Sequence, residues 1–307
     1  MKSKAPPQPS RSEASGQLKA DFGLRRAQFY CLRLALSHYE NFFVLGPLTP
    51  PRLVPHLAAL YAFCRRSDDL ADEGPQNAPD RAAAGQHLDD WEAELRRGLG
   101  FEGKASHPII RSIAYTADRF NLPTQPLFDL ISAFRQDLSV NRYQTFSDLR
   151  DYTRRSADPV GRLVLRLYGH HDPELDALSD SICTGLQLAN FCQDVGNDAE
   201  RERIYIPLDE LRQFDVDPVQ ILDRKPSPAL EKLLHFQIVR AYKHLQAGSA
   251  LPVKLAGKSR KSVQLFILGG LKILDNLQRN PLAALRGRVK LKPGQKLEML
   301  RAAMKSG

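Results

Sequence analysis

Between Ile182 and Pro207 the chain reads ICTGLQLANFCQDVGNDAERERIYIP, and this segment is the most informative one about the fold. Read as a helix, it places four polar side chains at positions i, i+3, i+7 and i+11, within about 80° of one another. These residues are Gln187, Asn190, Asp194 and Asp198. The apolar residues Leu188, Phe191 and Val195 lie beside this polar stripe rather than opposite it. This arrangement favours a helix that lines a polar cleft inside a helical bundle.

A second stretch carries a matching stripe. Residues 61–73 read YAFCRRSDDLADE and place Tyr61, Arg65, Asp68 and Asp72 at i, i+4, i+7 and i+11. One D-x-x-x-D pair is common on solvated helix faces, but two such pairs with apolar neighbours favour a metal site. Carboxylate oxygens suit Mg²⁺, which keeps several waters and binds through one or two carboxylates plus substrate phosphates. The two stripes therefore predict a cleft that holds magnesium and a diphosphate.

The composition is that of a basic globular protein. The chain has 307 residues, of which 42% are hydrophobic, and a formal net charge of +9. Such a charge fits nucleic acid, an anionic membrane surface or anionic substrates as partners. Neither zinc-finger spacing nor an aromatic RNA-binding strand occurs, so no nucleic-acid partner is predicted.

The cysteines and the apolar runs indicate a cytoplasmic protein. The four cysteines form no C-x-x-C pair, and each lies in an apolar helical context, which predicts buried free thiols in a reducing compartment. The sequence contains neither an apolar run of about 18 residues nor a secretory signal at its N-terminus.

The periodicity predicts an all-α, single-domain helical bundle. Residues 1–16 are polar and rich in Pro and Ser, which predicts a disordered N-terminal tail, and residues 17–307 form the helical domain. The first helix is expected over residues 24–39, and one long helix over residues 173–198 carries the second stripe. No strand alternation competes with this interpretation.

Together with the segment HYENF at residues 38–42, the two aspartate motifs resemble those of the squalene/phytoene synthase family. The resemblance extends from about Ala27 to Arg288 and implies the isoprenoid synthase fold, with a central cleft between two D-x-x-x-D helices. It implies that Mg²⁺ bridges a prenyl diphosphate and four catalytic aspartates, which are Asp68, Asp72, Asp194 and Asp198. It also implies eight substrate-binding residues, which are His38, Phe42, Arg65, Gln187, Asn190, Arg203, Tyr205 and Arg288.

One segment departs from the usual pattern. Squalene and phytoene synthases carry a Y-x-x-Y-V-A-G-x-V-G type segment, whereas residues 152–162 here read YTRRSADPVGR. Arg155 stands in place of the second tyrosine, and Asp158 with Pro159 replaces the glycine and its neighbour. This form resembles the bacterial hopanoid-pathway branch, the hydroxysqualene synthases. That likeness implies conversion of presqualene diphosphate and water into hydroxysqualene and diphosphate, without NADPH.

Two other functions stay open from the sequence. One is head-to-head condensation of two prenyl diphosphates to presqualene diphosphate, squalene or phytoene products. The other is a non-catalytic role as an assembly or binding protein, which retention of all four aspartates disfavours. Because the implied substrates are long lipids, peripheral contact with the inner face of the membrane is expected, with the basic segment 254–305 as the attracted surface. Coupling to other squalene-pathway enzymes is also expected.

Overall fold

The computed structural model describes residues 11–37, 45, 48–72, 78–100 and 105–305, and among them the side chains of 23–37, 45, 48–71, 81–100 and 105–305. Within these ranges the chain is helical and forms no strand, which confirms the predicted all-α class. The helices are α1 Arg11–Ser37, α2 Val54–Asp72, α3 Ala78–Gly98, α4 Pro108–Phe120, α5 Gln125–Gln136, α6 Phe146–Ser156, α7 Asp158–Leu167, α8 Pro173–Gln193, α9 Val195–Ala199, α10 Leu208–Gln213, α11 Pro218–Leu222, α12 Pro228–Ala247, α13 Leu251–Lys254, α14 Gly257–Arg279 and α15 Pro293–Lys305. Short 3₁₀ turns occupy Pro51–Leu53 and Pro281–Arg286.

The described helices enclose two large hydrophobic cores and a small third one between α14 and α15. One large core is built mainly by α1–α5 around the fully buried Phe63, and the other mainly by α8, α12 and α14. Helices α5 and α7 contribute side chains to both cores, and α7 packs against both α2 and α8. The two aspartate stripes are therefore carried by different halves of the bundle, with α7 packed between their helices.

The end of α2 is held in place by a buried hydrogen-bond relay. The indole N–H of Trp91 on α3 donates to Ser67 Oγ at 2.9 Å, and Ser67 donates to the carbonyl of Phe63 at 2.8 Å. Both Ser67 and Phe63 are fully buried. Because Ser67 directly precedes Asp68, this relay fixes the rotation of the helix that carries the first stripe.

The second stripe does not lie on one helix, contrary to the prediction for residues 173–198. The α-helix ends at Gln193, Asp194 adopts φ −106° and ψ 10°, and α9 begins at Val195. Hydrogen bonds continue across the break, because Asp194 N donates to Asn190 O at 2.9 Å and Asp198 N donates to Asp194 O at 2.8 Å. Asp and Gly are weak helix formers, which makes this a favourable place for a change of direction.

The first helix is longer than predicted. It begins at Arg11, upstream of the predicted start at residue 24. Glu13, Ala14, Leu18, Lys19 and Ala20 are good helix formers that extend the helix towards the N-terminus.

After the second stripe the chain leaves the helix as an extended segment. Glu202 adopts a positive φ of 55°, and the chain then runs beside residues 141–143. Ile204 N donates to Asn141 O at 3.1 Å, Leu208 N donates to Tyr143 O at 2.9 Å, and Arg142 and Ile204 form a parallel bridge. We call residues 200–207 the flap.

The thiols are free as predicted, although Cys64 and Cys183 are only partly buried, and the described helices are not membrane spans. All four cysteines are free, and burial raises the pKa of Cys64, Cys183 and Cys192 to about 12. No helix in the described ranges combines the length and the apolar character that a crossing of the bilayer needs.

Candidate active site

The first stripe presents an arginine between two aspartates. Arg65 Nη1 lies 3.9 Å from Asp68 Oδ2, and Arg65 Nη2 lies 2.5 Å from Asp69 Oδ1. Asp69 is the more buried carboxylate, with 14% of its side chain exposed against 40% for Asp68. Asp69 therefore holds the guanidinium of Arg65, and the carboxylate of Asp68 stays accessible to a ligand. Asp72 is the last residue of α2.

The second stripe is completed by an arginine from far along the chain. Arg288 Nη1 lies 3.3 Å from Asp194 Oδ2, and their side chains are 24% and 17% exposed. One turn before Asp194, the Oδ1 atom of Asn190 is buried and has no hydrogen-bond partner among the described residues. Gln187 is half-buried a further turn back. The residues predicted along this stripe thus lie together, and Arg288 joins them.

Glycine at position 196 makes the approach of Arg288 possible. A Cβ atom there would lie 2.5 Å from the carbonyl oxygen of Leu285 and 2.8 Å from that of Ala284. The neighbouring Gln193, which is fully buried, donates from its amide to the carbonyl of Val289. The segment 284–289 therefore lies directly on the α8–α9 junction, which brings Arg288 to Asp194.

The side-chain oxygens near the two stripes suit Mg²⁺ better than a metal ion whose ligands all come from the protein. Among the described side chains, which exclude that of Asp72, no three His, Cys, Asp or Glu residues converge to hold an ion by themselves. Mg²⁺ needs only one or two carboxylates when substrate phosphates and waters complete its shell. A buried amide oxygen without a partner at Asn190, one turn from Asp194, suits this hard oxygen chemistry.

The flap places two predicted residues beside the second stripe. Arg203 N donates to Asp198 O at 2.9 Å, and Arg203 Nη2 approaches Asp137 O at 3.5 Å. Tyr205 stacks on Phe191, with ring centroids 4.1 Å apart and ring planes 10° from parallel. Arg203 thus lies between the second stripe and the end of α5, and Tyr205 covers the aromatic ring next to Asn190.

Four aromatic rings form one cluster behind the flap. Tyr143, Tyr152, Phe191 and Tyr205 contact one another with ring centroids between 4.1 and 6.4 Å apart. Burial raises the pKa of Tyr152 and Tyr205 well above the ordinary value, so both phenols stay protonated. Tyr152 uses its proton to donate to Asp137 Oδ2 at 2.7 Å. Such a wall offers π faces to a cation without a strong nucleophile.

Arg155 connects this cluster to the surface. It donates to Ser132 Oγ at 3.1 Å, to Gln136 Oε1 at 2.5 Å and to Asp151 Oδ2 at 3.0 Å. Gln136 in turn donates to the Tyr143 hydroxyl at 3.4 Å. Asp151 is 55% exposed and Arg155 is 26% exposed. A chain of polar groups therefore leads from solvent to the aromatic cluster.

Asp158 has a structural role. Its side chain is 1% exposed, receives a hydrogen bond from Arg150 at 2.8 Å and another from Thr184 at 2.8 Å. Burial raises its pKa, and the ion pair with Arg150 opposes that shift. Asp158 therefore connects α6 and α7 to α8, and both of its carboxylate oxygens accept these hydrogen bonds.

The sequence of the chain matches that of a known protein family. The family model of squalene/phytoene synthase matches residues 36–295. The chain belongs to the squalene/phytoene synthase family. Members of this family are prenyltransferase-type enzymes that join prenyl diphosphates head to head and use a divalent metal.

Individual relatives point to more than one product. The chain is 32% identical to a phytoene synthase of Arthrospira platensis, over 81% of this chain and 83% of that protein. It is 35% identical to a hydroxysqualene synthase of Sinorhizobium fredii, over 87% of each. Among solved structures, squalene synthase HpnC from Alicyclobacillus acidocaldarius is 41% identical, with a TM-score of 0.75 over 84% of this chain and 95% of that one.

Most of the predicted site residues lie in the described part of the chain. His38 and Phe42 lie outside the described residues, as does the side chain of Asp72. The other predicted residues form two groups, one around Asp68 and one around Asp194, and their meeting across one cleft stays a prediction. Sequence reasoning missed Asp69, Asp137 and Gly196. Asp69 stood next to Asp68 in the motif, whereas nothing local marked the long-range contacts of Asp137 and Gly196.

Proposed function

We propose that this synthase converts presqualene diphosphate and water into hydroxysqualene and diphosphate. The observation that carries the proposal is the polar chain from Asp151 through Arg155 and Gln136 to Tyr143. A tyrosine at position 155 would present an aromatic ring there, whereas a guanidinium carries five N–H donors. Three of these make the hydrogen bonds described above, which leaves two to hold water next to the aromatic cluster.

The reaction has two stages. In the first, the C–O bond to diphosphate breaks and leaves a carbocation, and the negative charge on the departing group is met by Arg65, Arg203 and Arg288. In the second, a water oxygen bonds to the rearranged cation and gives its proton to solvent or to the released diphosphate. The carbons undergo no net oxidation or reduction in the overall hydrolysis, so NADPH is not required.

The aspartates of both stripes would hold the metal. They are Asp68, Asp72, Asp194 and Asp198, with the Asn190 amide oxygen beside them. Bound Mg²⁺ would supply charge neutralisation to the leaving diphosphate. The protein groups contribute orientation: Asp69 holds Arg65 in place, and the glycine contact at residue 196 holds Arg288.

A product assay on the purified protein tests this proposal. With Mg²⁺ and presqualene diphosphate, an alcohol should form without NADPH, and in ¹⁸O water its oxygen should carry the label. Conversion of farnesyl diphosphate to a longer diphosphate would instead identify a condensing synthase, the alternative that the phytoene synthase relative favours. Squalene formed only with NADPH would indicate a two-step enzyme, and no turnover would favour a non-catalytic role.

Changing Arg155 to Tyr should shift the product. We expect the alcohol to fall roughly tenfold relative to other terpene products, because about 1.4 kcal/mol of water positioning is lost. Gas chromatography of the extracted products measures the ratio. Arg154→Tyr is the matched control, because Arg154 lies on the same helix, is 61% exposed and lies 4.0 Å from the same Asp151. An unchanged ratio in a folded Arg155→Tyr protein would contradict the role of the polar chain.

We also propose that the synthase works in peripheral contact with a membrane, next to other enzymes of the squalene pathway. Its proposed substrate and product are long lipids that partition into bilayers. The basic segment 254–305 was the expected contact, but several of its cations have protein partners. Lys254 lies 2.8 Å from Glu174, Lys272 lies 3.3 Å from Glu298, and Arg260 donates to the carbonyls of Pro252 and Leu255.

A further inference from the structure

One face of α1 combines exposed apolar side chains with arginines. Phe29 and Leu36 are each 61% exposed, and Tyr30 is 47% exposed. At 100° per residue, these three and three arginines fall within an arc of about 140°. The set is Arg25, Arg26, Phe29, Tyr30, Arg33 and Leu36, and we call it the α1 outer face.

The opposite side of α1 accounts for its packing. Ala27, Cys31 and Ala35 are 2%, 0% and 3% exposed, and the helix packs against α2 and α4. The outer face therefore lies on the side of α1 turned away from α2 and α4, with Tyr30 at its edge, where its ring centroid lies 6.3 Å from that of His107. Large apolar side chains exposed in a contiguous group are typical of an interaction surface.

The positive charge of the outer face indicates which kind of partner it binds. Residues 22–37 contain three arginines and no aspartate or glutamate. Pairing with a second copy of the chain through a two-fold axis would bring six guanidinium groups together, which disfavours a homodimer. Aromatic and aliphatic side chains interleaved with arginines match the boundary between anionic headgroups and acyl chains.

We propose that the α1 outer face docks this synthase onto an anionic bilayer, with α1 lying in the plane of the headgroups. Phe29 and Leu36 enter the acyl boundary, and the arginines bind lipid phosphates. The proposal rests on the peripheral contact proposed above and assigns it to α1 instead of the C-terminal segment. Its test measures binding alone, so it can fail while the catalytic proposal stands.

Vesicle co-sedimentation tests the docking surface. Phosphatidylcholine vesicles with and without phosphatidylglycerol are mixed with the full-length protein and with a variant carrying Arg25→Gln, Arg26→Gln and Arg33→Gln. Each cation near an anionic surface contributes roughly fivefold to the binding constant, so the triple variant should bind anionic vesicles roughly a hundredfold more weakly. Weak binding to the neutral vesicles is expected for every protein.

Matched control variants distinguish an effect of the α1 outer face on binding from an effect of the protein's net charge. Lys232→Gln, Lys243→Gln and Lys258→Gln remove the same charge from exposed positions elsewhere and should leave most of the binding. Phe29→Ser with Leu36→Ser should weaken binding, whereas Val219→Ser with Val253→Ser, at positions 53% and 76% exposed, should not. Equal losses in the α1 and control variants would overturn the proposal.

If the triple arginine variant does not fold, a fluorescent variant of the outer face still tests the proposal. Phe29→Trp adds a tryptophan to the outer face, and its emission should shift to the blue when anionic vesicles are added. The native Trp91 is 6% exposed and gives a constant background. No shift, or a dimer in sedimentation that Phe29→Ser abolishes, would show that this face does not dock on lipid.

Discussion

Replacing Asp194 by Asn should lower kcat by roughly two orders of magnitude or more, because a charge next to the leaving diphosphate is lost. Asp194 is 17% exposed, lies 3.3 Å from Arg288 and adjoins the buried amide oxygen of Asn190. The amide has nearly the same shape as the carboxylate, so the fold should survive. Asp68→Asn should have a similar effect, because Asp68 is the accessible carboxylate of the first stripe.

Three measurements check this expectation. Turnover at saturating substrate gives kcat, calorimetric titration of Mg²⁺ with inorganic diphosphate gives binding, and a melting curve verifies folding. Asp118→Asn on the exposed side of α4 is the matched control and should change none of them. An unchanged rate in the Asp194 or Asp68 variant would remove that residue from the metal site.

Replacing Gly196 by Ala should damage both stability and activity. The added methyl group would lie 2.5 Å from the carbonyl oxygen of Leu285, which is backbone and has little freedom to yield. Overpacking of this kind costs about 1–3 kcal/mol. Relief of the clash pushes the segment 284–289 away from α9 and takes Arg288 from Asp194. We therefore expect a lower melting temperature together with weaker diphosphate binding.

Gly85→Ala provides the contrast. Gly85 lies inside α3, and a Cβ atom there would meet only Leu138 Cδ1 at an ordinary distance of 3.9 Å. Alanine in a helix interior is favoured over glycine by about 1 kcal/mol, so this variant should melt slightly higher than the wild type. If Gly196→Ala also melted at or above the wild-type temperature, the close approach at the α8–α9 junction would be refuted.

The sequence alone determined the fold class, the family and the positions of both aspartate stripes. These features are local: within one helix, periodicity places residues three, four and seven positions apart on one face, and it ceases to apply where α8 ends before Asp194. The free state of the cysteines followed in the same way from their spacing and apolar context. The resemblance carried by the two motifs led to the family that the match over residues 36–295 confirms.

The side chains that complete the site, by contrast, are known from the tertiary structure alone. Arg288 reaches Asp194 from almost a hundred residues away, Tyr205 stacks on Phe191, and Asp69 rather than Asp68 holds Arg65. The break at Asp194 belongs with these, because the segment that packs on Gly196 comes from residues 284 and 285. Contacts of this kind depend on how helices from distant parts of the chain pack together. Helical periodicity within a single stretch of sequence carries no information about that packing.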